Sequence, residues 1–278
     1  MKNTSIILVH TGNEFPDYLN DCVFQLKKYV TDIHLIISEK LATLVHDKGI
    51  NISFAEDYET VAYKNFKVLH NDQNYRDDFW TRTSSRFFLI ECYARRNNIK
   101  SFFHIETDVL LYSNLTSEKN ILDKSNYEMS LIMDSDVRCV PSLMWFKDCG
   151  LLSSLCSHLQ SNNRNDDMFN LASFYKKNTS RILNLPISPK NDNNSSLLKY
   201  NNMSEEFGSI FDGAAIGQFL GGIYSDPKII GFVNKECSTD YSKFKFKWIN
   251  KEPFILFKNK LVKINNLHIH SKQLKKFI

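Results

Sequence analysis

Short apolar runs alternate with helix-period segments through the first 60 residues, and this constrains the fold more than any other feature. Ser5–His10 (Ser-Ile-Ile-Leu-Val-His) is a β-branched run ending at Thr11-Gly12-Asn13. It reads as a buried strand followed by a turn. Asp17–Val30 has helical spacing, with Tyr18, Cys22, Leu26 and Tyr29 on one side. Asp32–Ser38 predicts a second strand, Glu39–Lys48 a short helix closed by Gly49, and Ile50–Ala55 a third strand. Strands alternating with helices imply a parallel sheet covered by helices. Such sheets bind ligands at the carboxyl ends of their strands. Thr11, Gly12 and Asn13 are therefore candidate nucleotide-binding residues.

Phe79–Asn97 predicts a long helix, with Phe87, Ile90, Glu91 and Ala94 at helical spacing. Arg82 and Arg86 are i, i+4 neighbours on it, placed either to reach a phosphate or to pair with Asp77 or Asp78. Arg95 and Arg96 suit the dipole at its far end. The helix leads into Ser101–Tyr112, an apolar run interrupted by Glu106-Thr107-Asp108. Residues i and i+2 of an extended chain point to the same side, so Glu106 and Asp108 would set two carboxylates together at a strand end. Such oxygens suit a hard divalent cation that keeps positions open for phosphates. A second acid-x-acid triplet, Asp134-Ser135-Asp136, closes a strand predicted over Tyr127–Met133 and competes for the same role.

The second half is looser. Residues 158–206 are rich in Asn, Ser, Lys and Asp, with a low-complexity run at Asn191–Ser196. Asp166 and Asp167 open a predicted helix, either as its acidic first turn or as contacts to an acceptor hydroxyl. Four of the nine glycines, Gly213, Gly217, Gly221 and Gly222, fall within 211–222. That stretch is neither a P-loop nor a dinucleotide fingerprint. Asp212 is either a helix N-cap or a base for a hydroxyl. In the tail, Val262–Lys272, an extended chain would put His268, His270 and Lys272 on one face. A histidine there could complete a metal site, and the lysine could neutralise a departing phosphate.

Composition excludes little but sets bounds. The chain has 278 residues, 42% hydrophobic and 24% charged, as an ordinary globular protein has. A net charge of +4 suits an anionic substrate or loose attraction to an anionic membrane surface, and does not argue for nucleic acid. Six cysteines without a CxxC pair read as reduced, mostly buried thiols. The N-terminal apolar run is too short for a signal peptide, and no stretch has the length of a membrane span. A cytoplasmic protein, or one peripheral to a membrane, is expected.

The order of these motifs resembles the GT-A type of nucleotide-sugar-dependent glycosyltransferases. Glu106 and Asp108 fall where that fold's Asp-x-Asp metal motif would be. Asp212-Gly-Ala-Ala-Ile-Gly-Gln is similar to its acceptor-side helix region, and His268 or His270 with Lys272 resembles the C-terminal His and Lys of glycogenin-like enzymes. The chain departs in having Glu as the first acid, and in a tail, His-Ser-Lys-Gln, without the usual Gly or Pro-Trp. The resemblance implies an α/β fold of GT-A type, a mostly parallel central sheet flanked by helices. It implies one domain over 1–278, with a Rossmann-like nucleotide-sugar-binding half at 1–157 merged with an acceptor-binding half at 158–278. The implied reaction moves a sugar from a UDP- or GDP-linked donor to a hydroxyl of a glycan, lipid-linked or other acceptor. Mn2+ or Mg2+ would be held by Glu106, Asp108 and His268 or His270. Lys272, Arg82 and Arg86 would face the diphosphate, and Asp212 would be the base if configuration inverts.

Two other classes stay open. A metal-dependent nucleotidyltransferase shares the sheet and the acid pair, but usually has a Gly-rich basic loop after the first strand. Here a single Gly12 follows, with no Arg or Lys until Lys27. A non-catalytic carbohydrate-binding protein on the same fold is the other.

Overall fold

The computed structural model describes residues 4–70, 78–162, 166–189 and 203–278, so Asp77 and the Asn191–Ser196 run lie outside the described residues. The first half contains β1 (Ser5–His10), α1 (Tyr18–Leu26), β2 (Asp32–Ile37), α2 (Glu39–Ala42), β3 (Asn51–Phe54), α3 (Val61–Leu69) and α4 (Phe79–Arg96). Next come β4 (Phe102–Ile105), β5 (Val109–Leu111), α5 (Thr116–Lys124), β6 (Met129–Leu131), β7 (Met133–Ser135), β8 (Arg138–Cys139), β9 (Leu143–Phe146) and α6 (Cys149–Ser161). The remainder has α7 (Asp167–Lys177), β10 (Ile182–Asn184), α8 (Ser204–Phe207), β11 (Ser209–Ile210) and α9 (Ala215–Gly221). It ends with β12 (Lys245–Ile249), β13 (Glu252–Phe257), β14 (Lys260–Ile264) and β15 (Asn266–His268). The expected strands and long helix are present. α2 is shorter than the predicted helix, because Asp47 Oδ1 takes the Gly49 N–H at 2.7 Å and Asn20 Oδ1 the His46 N–H at 2.9 Å, and the chain leaves the helix early.

The central sheet has seven strands in the order β10-β6-β9-β4-β1-β2-β3. β4, β1, β2 and β3 are parallel, whereas β9 runs antiparallel to both β4 and β6. The fold is thus mixed α/β with a mostly parallel, helix-flanked sheet. The chain steps outward from β1 to β2 and β3, then returns to lay β4 on the other side of β1. Open α/β sheets bind ligands where the strand order reverses in this way. The ends of β1 and β4, Thr11–Asn13 and Glu106–Asp108, flank that point.

β1 is buried on both faces, which is why it reads as a continuous apolar run. Ile6 and Leu8 enter one core with α1 and the C-terminal strands, while Ile7 and Val9 enter the other with α3, α4, α6 and α7. β10, from beyond residue 157, pairs parallel with β6 at the edge of the same sheet. A second sheet of order β11-β14-β13-β12 and a β15-β5 ladder complete the C-terminal part. All six cysteines are free. Among the described residues no helix is long and apolar enough to cross a membrane.

Candidate metal centre

β4 stops at Ile105, and Glu106-Thr107-Asp108 forms a turn closed by the Val109 N–H on the Glu106 carbonyl at 3.1 Å. The extended geometry expected of the triplet is therefore replaced by a turn. The cause is topological: β5 leaves the large sheet to pair antiparallel with β15. That ladder sets His268 opposite Val109, beside Asp108, and the Ile269 N–H bonds to the Asp108 carbonyl at 3.0 Å. The tail differs from expectation too. The strand ends at His268, and a turn follows in which the His270 N–H meets the His268 carbonyl at 3.0 Å and Lys272 takes a left-handed φ of 63°. The three residues are therefore not set out along one extended strand, although the His268 and His270 rings still lie 6.2 Å apart. His270 Nδ1 accepts the Tyr224 N–H at 3.0 Å, while the turn brings Lys272 Nζ onto Asp108 Oδ2.

Asp108 is buried and its Oδ2 also meets His268 Nε2 at 3.0 Å. His268 Nδ1 lies 2.8 Å from the Gly213 carbonyl, which can only accept, so that nitrogen carries a proton and Nε2 faces Asp108. Burial pushes the Asp108 carboxyl up, but the charges of His268 and Lys272 more than reverse this and hold it well below the usual carboxylate range. Burial pushes His268 down, and Asp108 overrides it, raising the imidazole to about 9. Lys272 is raised in the same manner, burial opposing and Asp108 prevailing.

Glu106 Oε1 accepts from Arg86 Nη1 at 2.7 Å, and Arg86 Nη2 donates to Asp167 Oδ2 at 2.9 Å. Of the two readings of Arg86, a phosphate contact or a carboxylate pair, the structure has the pairing, with other partners than Asp77 or Asp78: the guanidinium is buried between Glu106 and Asp167 and positions Glu106. One guanidinium cannot neutralise both acids, so burial pushes Asp167 up to about 7 against the pull of Arg86. Glu106 Oε2 is buried with no hydrogen-bond partner, 3.7 Å from His268 Nδ1. An orphaned buried acceptor costs about 1–3 kcal/mol, and more when charged. Ligand atoms of Glu106, Asp108 and His268 all lie within 4.8 Å of one another. Two carboxylates, one of them with an unused oxygen, and an imidazole whose Nε2 becomes a ligand once a cation displaces its proton form a donor set that fits Mn2+ or a similar divalent ion.

Asp212 is 1% exposed. Its Oδ1 accepts the Ile216 N–H at 2.9 Å, and its Oδ2 accepts those of Gly217 at 2.9 Å and His268 at 3.0 Å. Asp212 therefore fastens the start of α9 to β15 instead of presenting an oxygen to an acceptor. Burial still raises it to about 6. Gly217 makes the fastening possible, since a Cβ there would sit 1.9 Å from the His268 carbonyl oxygen.

Thr11 Oγ1 donates to the Arg82 carbonyl at 3.3 Å and ties the end of β1 to the first turn of α4. Arg82 is half-buried there. Gly12 lies under the His10 ring, which a Cβ would approach to 2.7 Å, and Asn13 is exposed. The rival acids are not among the clustered ligands. Arg138 forks onto Asp134 at 2.9 and 2.6 Å and also pairs with Glu236, and Asp136 is exposed. Asp166 caps α7, its Oδ1 accepting the Met168 N–H at 2.9 Å.

Three residues have roles here that the sequence does not indicate. Asp167 reaches Arg86 across 81 residues, with no local signal. Ser142 links the acids to α9, its carbonyl accepting the Glu106 N–H at 3.2 Å and its hydroxyl donating to the Asp212 carbonyl at 2.7 Å. Tyr18, legible only as part of an apolar helix face, packs its ring 5.6 Å from Lys272 Nζ; burial first and Asp108 second push its hydroxyl up to about 12. A depression of about 550 Å3 lined by His34, Asn51, Tyr93 and Asn97 lies toward the amino ends of β2 and β3, the wrong end of the sheet for a ligand of this cluster.

No protein-family model matches the chain, and no curated protein sequence matches it. It is similar to several solved structures. One is mouse xyloside xylosyltransferase 1, apo form, 9% identical with a TM-score of 0.43, the match covering 64% of this chain and 83% of that one. A glycosyltransferase involved in glycosylation of the major capsid of PBCV-1 is 12% identical with a TM-score of 0.36, covering 65% and 80%. A cytidylyltransferase from Leptospira borgpetersenii serovar Hardjo-bovis is 12% identical with a TM-score of 0.37, covering 64% and 72%. TM-scores below 0.5 at such identities leave the case for the chemistry with the strand order and the side-chain geometry.

Proposed function

We propose that the chain is a divalent-metal-assisted glycosyltransferase, moving a sugar from a nucleoside diphosphate sugar to an acceptor hydroxyl. The observation that carries this reading is the buried Glu106–Asp108–His268 cluster, with its unused Glu106 oxygen, at the reversal of the strand order. When bound, the cation would supply Lewis-acid neutralisation of charge on the diphosphate. Glu106, Asp108 and His268 would hold it. Arg86 and Asp167 fix the Glu106 carboxylate, and Gly213 and Asp212 fix the His268 ring and backbone. Lys272, charged and hinged on its left-handed turn, is placed to pass from Asp108 to a leaving phosphate. Thr11, Gly12, Asn13 and Arg82 border the nucleotide side. Asp212 caps α9 and Asp134 is forked by Arg138, so both carboxylates are engaged.

The test is a panel of sugar nucleotides with Mn2+, read by release of nucleoside diphosphate and by thermal shift. Metal-dependent release, with stabilisation by one nucleotide and loss of both in Asp108→Ala, supports the reading. No shift and no turnover with any donor contradicts it. Pyrophosphate release from a nucleoside triphosphate would instead establish a nucleotidyltransferase.

A further inference from the structure

An antiparallel sheet with one face on the core ordinarily turns polar residues outward. The antiparallel strands β12, β13 and β14 of the four-stranded sheet do not follow this. Lys245 pairs with Leu256, Lys247 with Phe254 and Ile249 with Glu252 across β12 and β13. Leu256 pairs with Leu261 and Phe254 with Lys263 across β13 and β14. Directly paired residues share a face, so these side chains all lie on one side. Phe246, Phe257 and Val262 point to the other side and pack on the core. The outward face therefore mixes lysines with apolar side chains: Ile249 is 39% and Leu261 46% exposed, and Phe254 and Leu256 are half-buried.

The charge of this region is equally uneven. Residues 241–278 hold ten lysines, no arginine and one carboxylate, Glu252, a formal side-chain charge of +9. The whole chain is only +4, so the rest of it is net negative. Both hairpin turns place a lysine at a left-handed φ, Lys251 at 65° and Lys258 at 45°, where Gly or Asn is ordinarily favoured.

We propose that the outer face of β12, β13 and β14 docks the protein on an anionic phospholipid membrane. Its lysines would meet the lipid phosphates while Ile249, Leu256 and Leu261 enter the interface. A membrane surface takes both components at once. A nucleic-acid strand would instead call on several stacked aromatics and on arginine, whereas this face has a single aromatic, Phe254, and no arginine. β14 runs into β15, so docking would hold the Asp108–His268 cluster near the lipid surface and present it to a membrane-borne acceptor. That last consequence rests on the proposed glycosyl transfer; the docking itself does not.

The test is sedimentation of the full chain with vesicles of phosphatidylcholine containing phosphatidylglycerol, and with phosphatidylcholine alone. Binding to the anionic vesicles, weakened by salt, is expected, with little binding to the neutral ones. Lys245→Gln/Lys247→Gln should weaken partition by roughly 25-fold, at about fivefold per lysine. Ile249→Ser/Leu261→Ser, which keeps every charge, should weaken it while leaving its salt dependence. Asp108→Ala should bind as the parent does, so a failed transferase assay and a failed docking assay are separable. No binding to anionic vesicles, equal binding to neutral ones, indifference to both double variants in folded protein, or displacement from vesicles by a single-stranded RNA oligonucleotide would each overturn the proposal.

Discussion

Glu106-Thr107-Asp108 and Asp134-Ser135-Asp136 are the same pattern in sequence, an acid pair after an apolar run, yet they meet opposite surroundings in the fold. Asp134 is satisfied locally. Arg138, four residues on in the β7–β8 hairpin, takes both of its oxygens. The first triplet is surrounded by groups from remote parts of the chain: His268 and Lys272 on Asp108, and Arg86 with Asp167 on Glu106. It still keeps one buried oxygen without a partner. The difference teaches that acid spacing says little by itself. What marks a ligand site is carboxylate burial that the chain has not fully compensated, at a point where the topology opens a crevice.

The largest expected contrast is in activity. Asp108→Ala should lower transfer by roughly 10²–10³-fold, as loss of one preorganised stabilising group does. Asp134→Ala should leave the chemistry nearly unchanged and cost about 1–3 kcal/mol of stability, because Arg138 loses a buried partner but keeps Glu236. Steady-state rates and urea unfolding of the two variants measure both effects. Comparable losses of activity would erase the distinction between the triplets.

Arg86→Met should destabilise by about 3–5 kcal/mol, because it leaves Glu106 and Asp167 buried together without a cation. Denaturant unfolding at neutral pH reads this directly, and a loss under about 1 kcal/mol would mean the buried triad is wrongly described. A subtler effect sharpens the same point. Asp167 is raised above its ordinary value to about 7. Its contribution to stability is therefore fully present below about pH 4 and is lost as pH rises through about 7. In chelator-treated protein, Asp167→Asn should remove roughly 1–3 kcal/mol of the fall in stability between those limits. Parallel pH profiles for parent and variant would refute the assignment.

The smallest effect separates the tail histidines. His270→Ala should leave metal binding unchanged within error, because its ring serves the Tyr224 backbone, whereas His268→Ala should abolish it. Weakened binding in His270→Ala, with His268→Ala intact, would reverse the choice.

Much of the fold was legible because it depends on local periodicity. β1, α1, β2 and α4 follow from runs and spacings that no distant residue needs to specify. The antiparallel β9 was not legible, since a doubly buried strand such as Leu143–Phe146 has the same apolar pattern in either direction. At the site, residue types were legible and arrangement was not. Glu106, Asp108, His268 and Lys272 stand out as chemistry-bearing groups. That the acids lie on a turn, that Lys272 arrives through a left-handed residue and that Arg86 serves Asp167 all depend on pairings 81 to 164 residues apart. Asp212 is the instructive case: a structural anchor and a base look alike in sequence, and the three backbone N–H groups on its carboxylate come from residues 216, 217 and 268, which no local pattern announces.

Direct titration of Mn2+ into the parent, Asp108→Ala and Asp134→Ala by calorimetry, with a nucleoside diphosphate present, tests the central claim. One ion per chain is predicted for the parent and for Asp134→Ala, and none for Asp108→Ala. Binding that survives in Asp108→Ala and disappears in folded Asp134→Ala would contradict it.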